Sequence, residues 1–260
     1  MAKKEYVEMN GILGEGYDYH VYHMKKNDYL AAYGLGFLLG FVIIWAFFDS
    51  VLFGAICGII VALKVPKFYG EYKRKKRLKE LRSEFKDLLE SLSASYSAGR
   101  NTTDAFRDAL TDMTSIYGEH SDIVKEVQII CAGVTNNINV ENLLLDFANR
   151  CGIDDVMSFA NVFDACNRQG GDLKRIVNET RDVINDKIEV EMEIETMIAG
   201  NKNELNIMMV MPVVIVIMLR MLGEGTVNAN NFVNIIVKIV CIGIFVLSYV
   251  IGKKIVDIKI

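Results

Sequence analysis

The chain has 260 residues, enough for one or two domains, with 52% apolar residues, 24% charged residues and a formal net charge of −4. Only two prolines occur, Pro66 and Pro212, and turn-forming stretches are few, which excludes a strand-rich fold and suits long helices. The charge is divided along the chain: nine basic residues face only Glu71 and Glu80 between Lys64 and Arg82, whereas 23 acidic residues outnumber 11 basic ones from Ser83 to Glu204. That acidic stretch argues against a nucleic-acid partner, since phosphate contacts need a positive face.

Residues 1–29 form a polar N-terminal segment of mixed charge, so no cleavable signal is expected ahead of the first apolar run. His20 and His23 lie three apart in a tyrosine-rich stretch and could share a helical face. No further Cys or His stands near enough to complete a metal site, so neither a metal nor a cofactor is expected. The segment reads as an interfacial piece whose tyrosines rest on lipid headgroups.

Four apolar runs follow the lengths a bilayer demands. The first spans about Leu30 to Phe48 and the second Val51 to Val65, joined by a tight turn at Asp49-Ser50. The third spans Leu205 to Leu222 and the fourth Phe232 to Gly252, joined by a short polar loop. These runs define transmembrane hairpins at 30–66 and 205–252, around a cytoplasmic domain at 70–204 and ahead of a tail at 253–260. Neither short loop carries Lys or Arg, while Lys25 and Lys26, the Lys64–Arg82 collar, and Lys253, Lys254 and Lys259 flank the runs on the other side. Four spans with both termini and the large domain in the cytoplasm place every positive region on one side. The collar reads first as topology control and second as a contact for anionic headgroups.

Two GxxxG spacings, Gly36–Gly40 and Gly54–Gly58, fall on adjacent spans, where they favour packing within the hairpin over dimerisation. Lys238 lies about two turns into the fourth run. It marks either an intramembrane contact or a span that begins later, near Ile239.

The cytoplasmic domain is a succession of helices. Leu78, Leu81, Phe85, Leu88, Leu89, Leu92 and Tyr96 recur at three and four, a single apolar stripe that Gly99 stops. Asn101 with Asp104 forms a capping pair for the next helix. A third helix carries Ile123, Val124, Val127 and Ile130 and ends near Asn136-Asn137. A fourth runs from Val140 and stops at Gly152, Asp154 caps a fifth, and Gly170-Gly171 ends that one before Asp172 starts a sixth. From Ile188 to Glu195 the chain alternates apolar and acidic residues, a strand-like period. Val183, Val190, Ile194 and Met197 also fit a helical stripe, and no turn signal intervenes, so helix is expected there. The fold class is therefore all-α, four transmembrane helices with a roughly six-helix cytoplasmic bundle between the second and third. The five cysteines show no close pairing and read as reduced packing residues.

The order of these junctions is similar to that of the F-domain family of type II secretion and type IV pilus systems, the GspF/PilC/TadB/TadC platform proteins. The likeness covers about residues 70–225. Ala98-Gly99 with Asn101, Cys151-Gly152-Ile153-Asp154-Asp155, and Gly170-Gly171-Asp172-Leu173 carry it. One such domain between two pairs of spans most resembles the TadB/TadC branch of tight-adherence (Flp) pilus assembly. The resemblance implies a platform in the bacterial cytoplasmic membrane. Its implied partners are a secretion or pilus ATPase, a second platform protein and pilin subunits, in a homo- or hetero-oligomer.

No phosphate-binding loop, nucleophile elbow or zinc-protease motif occurs, and no enzymatic role is expected. Glu189, Glu191, Glu193 and Glu195 crowd like charge at i,i+4, which costs a few tenths of a kcal/mol per pair unless a counter-charge arrives. They form a candidate docking face for a basic partner or a cation, with a merely solvated acidic face as the competing reading. A small transporter or channel, suggested by Lys238 and Arg220, and a membrane sensor with a helical cytoplasmic domain are the alternatives to the platform.

Overall fold

The computed structural model describes residues 9–14, 16–22, 24, 26–48, 51–169 and 172–221, with 243, 247, 251 and 252 beyond them. All regular structure among these residues is helical. In chain order the helices are α1 (Lys26–Phe48), α2 (Val51–Ser97), α3 (Thr102–Tyr117), α4 (Asp122–Thr135), α5 (Val140–Cys151), α6 (Asp154–Gln169) and α7 (Leu173–Met221). They divide into two compact units, Met1–His23 with Gly70–Ile188, and Met24–Tyr69 with Glu189–Ile260.

The first unit is a bundle organised around the C-terminal part of α2. Leu81, Phe85, Leu88, Leu89 and Leu92 are all at most 1% exposed, and Leu78 and Tyr96 pack at the edges of the same stripe. The Phe85 ring meets Phe159 of α6 edge-on at 5.6 Å and Phe147 of α5 at 6.2 Å. Burying rings and branched chains of this size stabilises by about 1.5–3 kcal/mol each. Helices α3, α4, α5 and α6 pack in sequence order, each on the next. From α7, Val177 and Ile184 reach the core seven residues apart, two turns along one face.

Two helices are longer than periodicity suggests. Sequence pattern separates an apolar run ending at Val65 from a bundle helix beginning near Leu78, yet α2 is one helix of 47 residues with Pro66 inside it. Seven of the twelve residues from Pro66 to Arg77 are Lys, Arg or Glu, strong helix formers, and the helix continues through Pro66 and Gly70 to the stop at Gly99. Likewise α7 is a single helix of 49 residues that carries Pro212. The alternating stretch from Ile188 to Glu195 is helical, as the absence of a turn signal suggested. Of α7, the stretch as far as Ile188 belongs to the bundle unit, and beyond Ile184 no described residue of α7 is buried.

In the second unit α1 and α2 approach closely through small residues. Ala32, Gly36 and Gly40 on one helix and Gly54, Gly58 and Ala62 on the other repeat every fourth position and are all buried. A Cβ on Gly40 would fall 3.0 Å from the Gly58 Cα, and one on Gly36 3.0 Å from the Ala62 Cα. The two GxxxG spacings therefore face each other within one chain. A Cβ on Gly252 would lie 2.6 Å from Leu205 Cδ1, which brings the end of the fourth apolar run beside the start of the third.

Among the described residues one helix, Leu173–Met218, contains a stretch long and apolar enough to cross a membrane, and Asp28–Val42 is a shorter apolar helix. The Asp49-Ser50 turn, the loop at 223–231 and Lys238 lie outside the described residues.

Candidate functional site

The junctions that carry the family resemblance are built as helix stops and starts. Gly99 has φ +79°, and its N–H and that of Arg100 donate to the Tyr96 and Ser95 carbonyls at 3.0 and 3.1 Å, closing α2 in a Schellman turn. Asn101 Oδ1 then accepts from the Asp104 N–H at 2.8 Å while Asn101 Nδ2 donates to the Asp104 carboxylate at 2.9 Å. Asn137 takes the left-handed conformation, φ 60°, after α4. Gly152 does so after α5, φ 62°. Asp154 is not the cap of α6. It occupies the first turn, and the Ile153 carbonyl accepts the first helical bond, from the Met157 N–H. There its charge suits the positive helix end without bonding it. Asp172 does cap α7, with Oδ1 accepting from the Arg175 N–H at 3.2 Å. Gly170 and Gly171 lie outside the described residues.

The most concentrated chemistry lies elsewhere, where residues 9–22 cross the bundle. Arg150 of α5 and Glu126 of α4 are each 1% exposed and form a two-pronged ion pair, 2.7 Å from Nη1 to Oε1 and 2.5 Å from Nη2 to Oε2. Arg150 Nε also donates to Asp146 at 2.8 Å, and its Nη1 donates to the Tyr17 carbonyl at 3.2 Å. Tyr19, 1% exposed, donates its hydroxyl to Glu126 Oε1 at 2.9 Å, and its N–H donates to the Arg150 carbonyl at 3.1 Å. Over the Tyr19 ring lies the guanidinium of Arg77, 4.7 Å from the centroid, itself held by both oxygens of Asp122.

Backbone shape fits the N-terminal segment to this cluster. A Cβ on Gly152 would fall 2.5 Å from His20 Nε2, and one on Gly16 2.8 Å from Arg150 Nη1. Gly152 is thus a helix stop and also the floor on which His20 rests. Asp18 draws the turn together, accepting from the Met9 N–H at 3.0 Å and the His20 N–H at 2.9 Å. The tyrosine-rich segment consequently belongs to the bundle, not to a membrane interface. Tyr19 finds a buried carboxylate in Glu126, and the Arg77 guanidinium lies against the rings of both Tyr17 and Tyr19.

Electrostatics keep each partner in one state. Burial, followed by the nearby Glu126 carboxylate, raises the Tyr19 phenol far above its ordinary range, so it stays a neutral donor. Burial alone would lower the Arg150 guanidinium, but hydrogen bonds and attraction from Glu126 and Asp146 outweigh it and hold the cation more firmly. The adjoining Cys151 thiol is pushed up to about 12, chiefly by burial, and is an inert packing group. Among the described residues no cluster of His, Cys, Asp or Glu is arranged to hold a metal ion.

A second charged link ties three helices. Asp155 of α6, 8% exposed, accepts from Arg82 of α2 at 2.7 Å and from Lys187 of α7. Burial would raise its carboxyl, but the hydrogen bonds from Lys187 and Arg82 overcome that and lower it below its ordinary value. A depressed carboxyl contributes stability that is complete above the unfolded value near about pH 4 and is lost as pH falls through the folded value. The difference in melting temperature between the wild-type chain and Asp155→Asn should therefore narrow as the pH is taken from neutral to below about 4, measured by circular dichroism in detergent.

The acidic face lies on α7, with Glu189, Glu193 and Glu195 exposed and Glu191 half-buried. A groove of about 470 Å³ between α2 and α3 adds Asp87, Glu90 and Asp112 around Met113 and the 63% exposed Ile116.

No protein-family model, curated protein or solved structure matches the chain.

Sequence reasoning located the junctions but not the Tyr19–Glu126–Arg150 cluster. A signal was present. Glu126 falls among Ile123, Val127 and Ile130, and Arg150 among Leu143, Phe147 and Cys151. Opposite charges on two apolar stripes mark a buried pair, because neither could be buried alone.

Proposed function

We propose that this chain is a four-span platform protein of the bacterial cytoplasmic membrane, with both termini and the helical bundle in the cytoplasm. It couples a cytoplasmic ATPase to the assembly of pilin subunits in a tight-adherence (Flp-type) pilus or a related secretion filament. It acts as a non-enzymatic mechanical element, alongside a second platform protein and in an oligomer.

The observation that carries this reading is the continuity of α2 and α7. Each is a single helix that has bundle residues in one part and an apolar stretch in the other. A helix of 47 residues is roughly 70 Å long at 1.5 Å per residue. A helix carries a displacement along its length, whereas a flexible linker absorbs it. Further support comes from the ion pairs that join α2 to α4 and α6, which resist sliding of one helix past another. The acidic residues on α7 and around the α2–α3 groove offer a basic partner face complementary charge.

The test is co-purification of the full-length chain with a cytoplasmic secretion ATPase from the same cells. The ATPase should be retained by the wild-type chain. Its retention should weaken at least several-fold when Glu189, Glu191, Glu193 and Glu195 are all replaced by lysine. Retention unchanged by that reversal removes α7 from the contact, and absence of binding by the wild-type chain removes the platform role.

A further inference from the structure

The packing of α1 on α2 fixes which residues lie at the same level. Gly36 sits against Ala62 and Val65, and Gly40 against Gly58, so the two helices run antiparallel with pairs whose numbers sum to about 98 or 99. Extending that register puts Tyr33 level with the Val65-Pro66 turn of α2, Tyr29 level with Tyr69, and Lys26 just beyond.

What gathers at this level is chemically uniform. Tyr29 and Tyr33 are 43% and 41% exposed and stack with ring centroids 6.3 Å apart. Phe68 is 72% exposed, and Lys26, Lys64 and Lys67 are all exposed. Immediately toward the apolar side, Leu38, Ile60 and Leu63 are each more than half exposed. Acidic residues are sparse: Asp28 is the one carboxylate between Lys26 and Phe48.

Apolar surface bordered by a belt in which amphipathic rings and ammonium groups share one level matches the passage from acyl chains to the interfacial and headgroup region of a lipid leaflet. The headgroup layer on one side of a bilayer is about 5–8 Å deep. Lys64 and Phe68 are one helical turn apart, about 6 Å, so the lysine head and the ring fit within that one layer. Neutral lipid would satisfy the rings but not the net positive charge, since Lys26, Lys64 and Lys67 outnumber Asp28. An anionic headgroup serves both.

We propose that this end of the α1–α2 hairpin, formed by Lys26, Tyr29, Tyr33, Lys64, Lys67 and Phe68, is a binding surface for anionic phospholipid. The aromatic rings bound the acyl-chain region and the lysines hold the headgroup phosphate. This assignment rests on insertion of the hairpin in the bilayer, which is part of the function proposed above.

The test uses the full-length chain. Extraction of membranes with alkaline carbonate reads insertion by itself; release of the chain would overturn both insertion and the lipid surface. The detergent-solubilised chain is then titrated with dioleoyl phosphatidylglycerol or dioleoyl phosphatidylcholine, and bound lipid is counted by native mass spectrometry. Phosphatidylglycerol should bind preferentially. Lys64→Gln/Lys67→Gln should weaken it by about fivefold per lysine, roughly 25-fold together. Lys64→Arg/Lys67→Arg should retain it, which separates lost charge from a misfolded hairpin. Millimolar glycerol 3-phosphate should not displace the lipid. Equal binding of the two lipids, an unchanged glutamine variant, or displacement by the soluble phosphate each overturns the assignment while leaving insertion intact.

Discussion

Arg150→Met should destabilise the helical bundle by about 3–5 kcal/mol, because the Glu126 carboxylate then stays buried without its counter-charge. The Tyr19 hydroxyl, its other donor, is neutral and offers one hydrogen bond where Arg150 offered two and a full charge. For a unit of this size such a loss lowers the melting temperature by roughly 10–20 °C. Thermal melts of the purified chain in detergent would show it. The double variant Arg150→Met/Glu126→Leu should recover most of the loss, since removing both charges also removes the uncompensated one. Arg150→Lys should fall between, keeping the charge but losing the fork that meets Glu126 and Asp146 together. A single variant that melts within about 1 kcal/mol of the wild type would show that the pair is not buried as described.

Tyr19→Ala should release residues 9–22 from the bundle. The ring is 1% exposed, and truncating a buried aromatic costs about 3–5 kcal/mol. The attachments that remain include single hydrogen bonds, the Tyr19 N–H to the Arg150 carbonyl at 3.1 Å, the Tyr17 carbonyl on Arg150 at 3.2 Å and the His20 carbonyl on Arg74 at 3.3 Å. The penalty should fall on this segment, because the buried core residues other than Tyr19 all come from α2 to α7. Amide exchange would then rise at residues 9–22 and at Glu126 and Arg150, while the α2 core around Phe85 to Leu92 stays protected. Tyr19→Phe should cost only about 1 kcal/mol, the net value of one hydrogen bond, because the ring stays packed and Arg150 still satisfies Glu126. Equal effects of alanine and phenylalanine would place the segment's anchoring in the hydroxyl, not in the ring.

These two variants also separate what α4 and α5 owe to each other from what they owe to the N-terminal segment. Arg150 serves both, through Glu126 and Asp146 on one side and the Tyr17 carbonyl on the other. Tyr19 serves mainly the second. The platform reading makes this relevant, because a bundle that transmits displacement needs its helices fixed to one another as well as to the spans.

Local rules made much of the bundle legible. The stop at Gly99, the Asn101 cap, the left-handed Asn137 and the stop at Gly152 are each set by residues within one turn of the junction. The apolar stripe of α2 likewise names its own core, from Leu81 to Leu92. Asp154 was misplaced by one position. Asp, like other short polar residues, suits both the cap and the first turn, and only the Ile153 carbonyl bond distinguishes them. The continuity of α2 through Pro66 was not legible, since a proline and a change from apolar to basic residues both read as a boundary.

By itself, the sequence determined the all-helical class, the apolar runs, the divided charge and the helix junctions. All depend on composition or on neighbours within about four residues. Only the tertiary structure decided that the tyrosine-rich N-terminus docks on the bundle and that Glu126 and Arg150 pair. The partners in these contacts are 24 residues apart in the chain for Arg150 and Glu126, and 107 for Tyr19 and Glu126. No local period encodes such a meeting. Burial selects it, because a charge or phenol removed from water is tolerated only where another segment brings its complement.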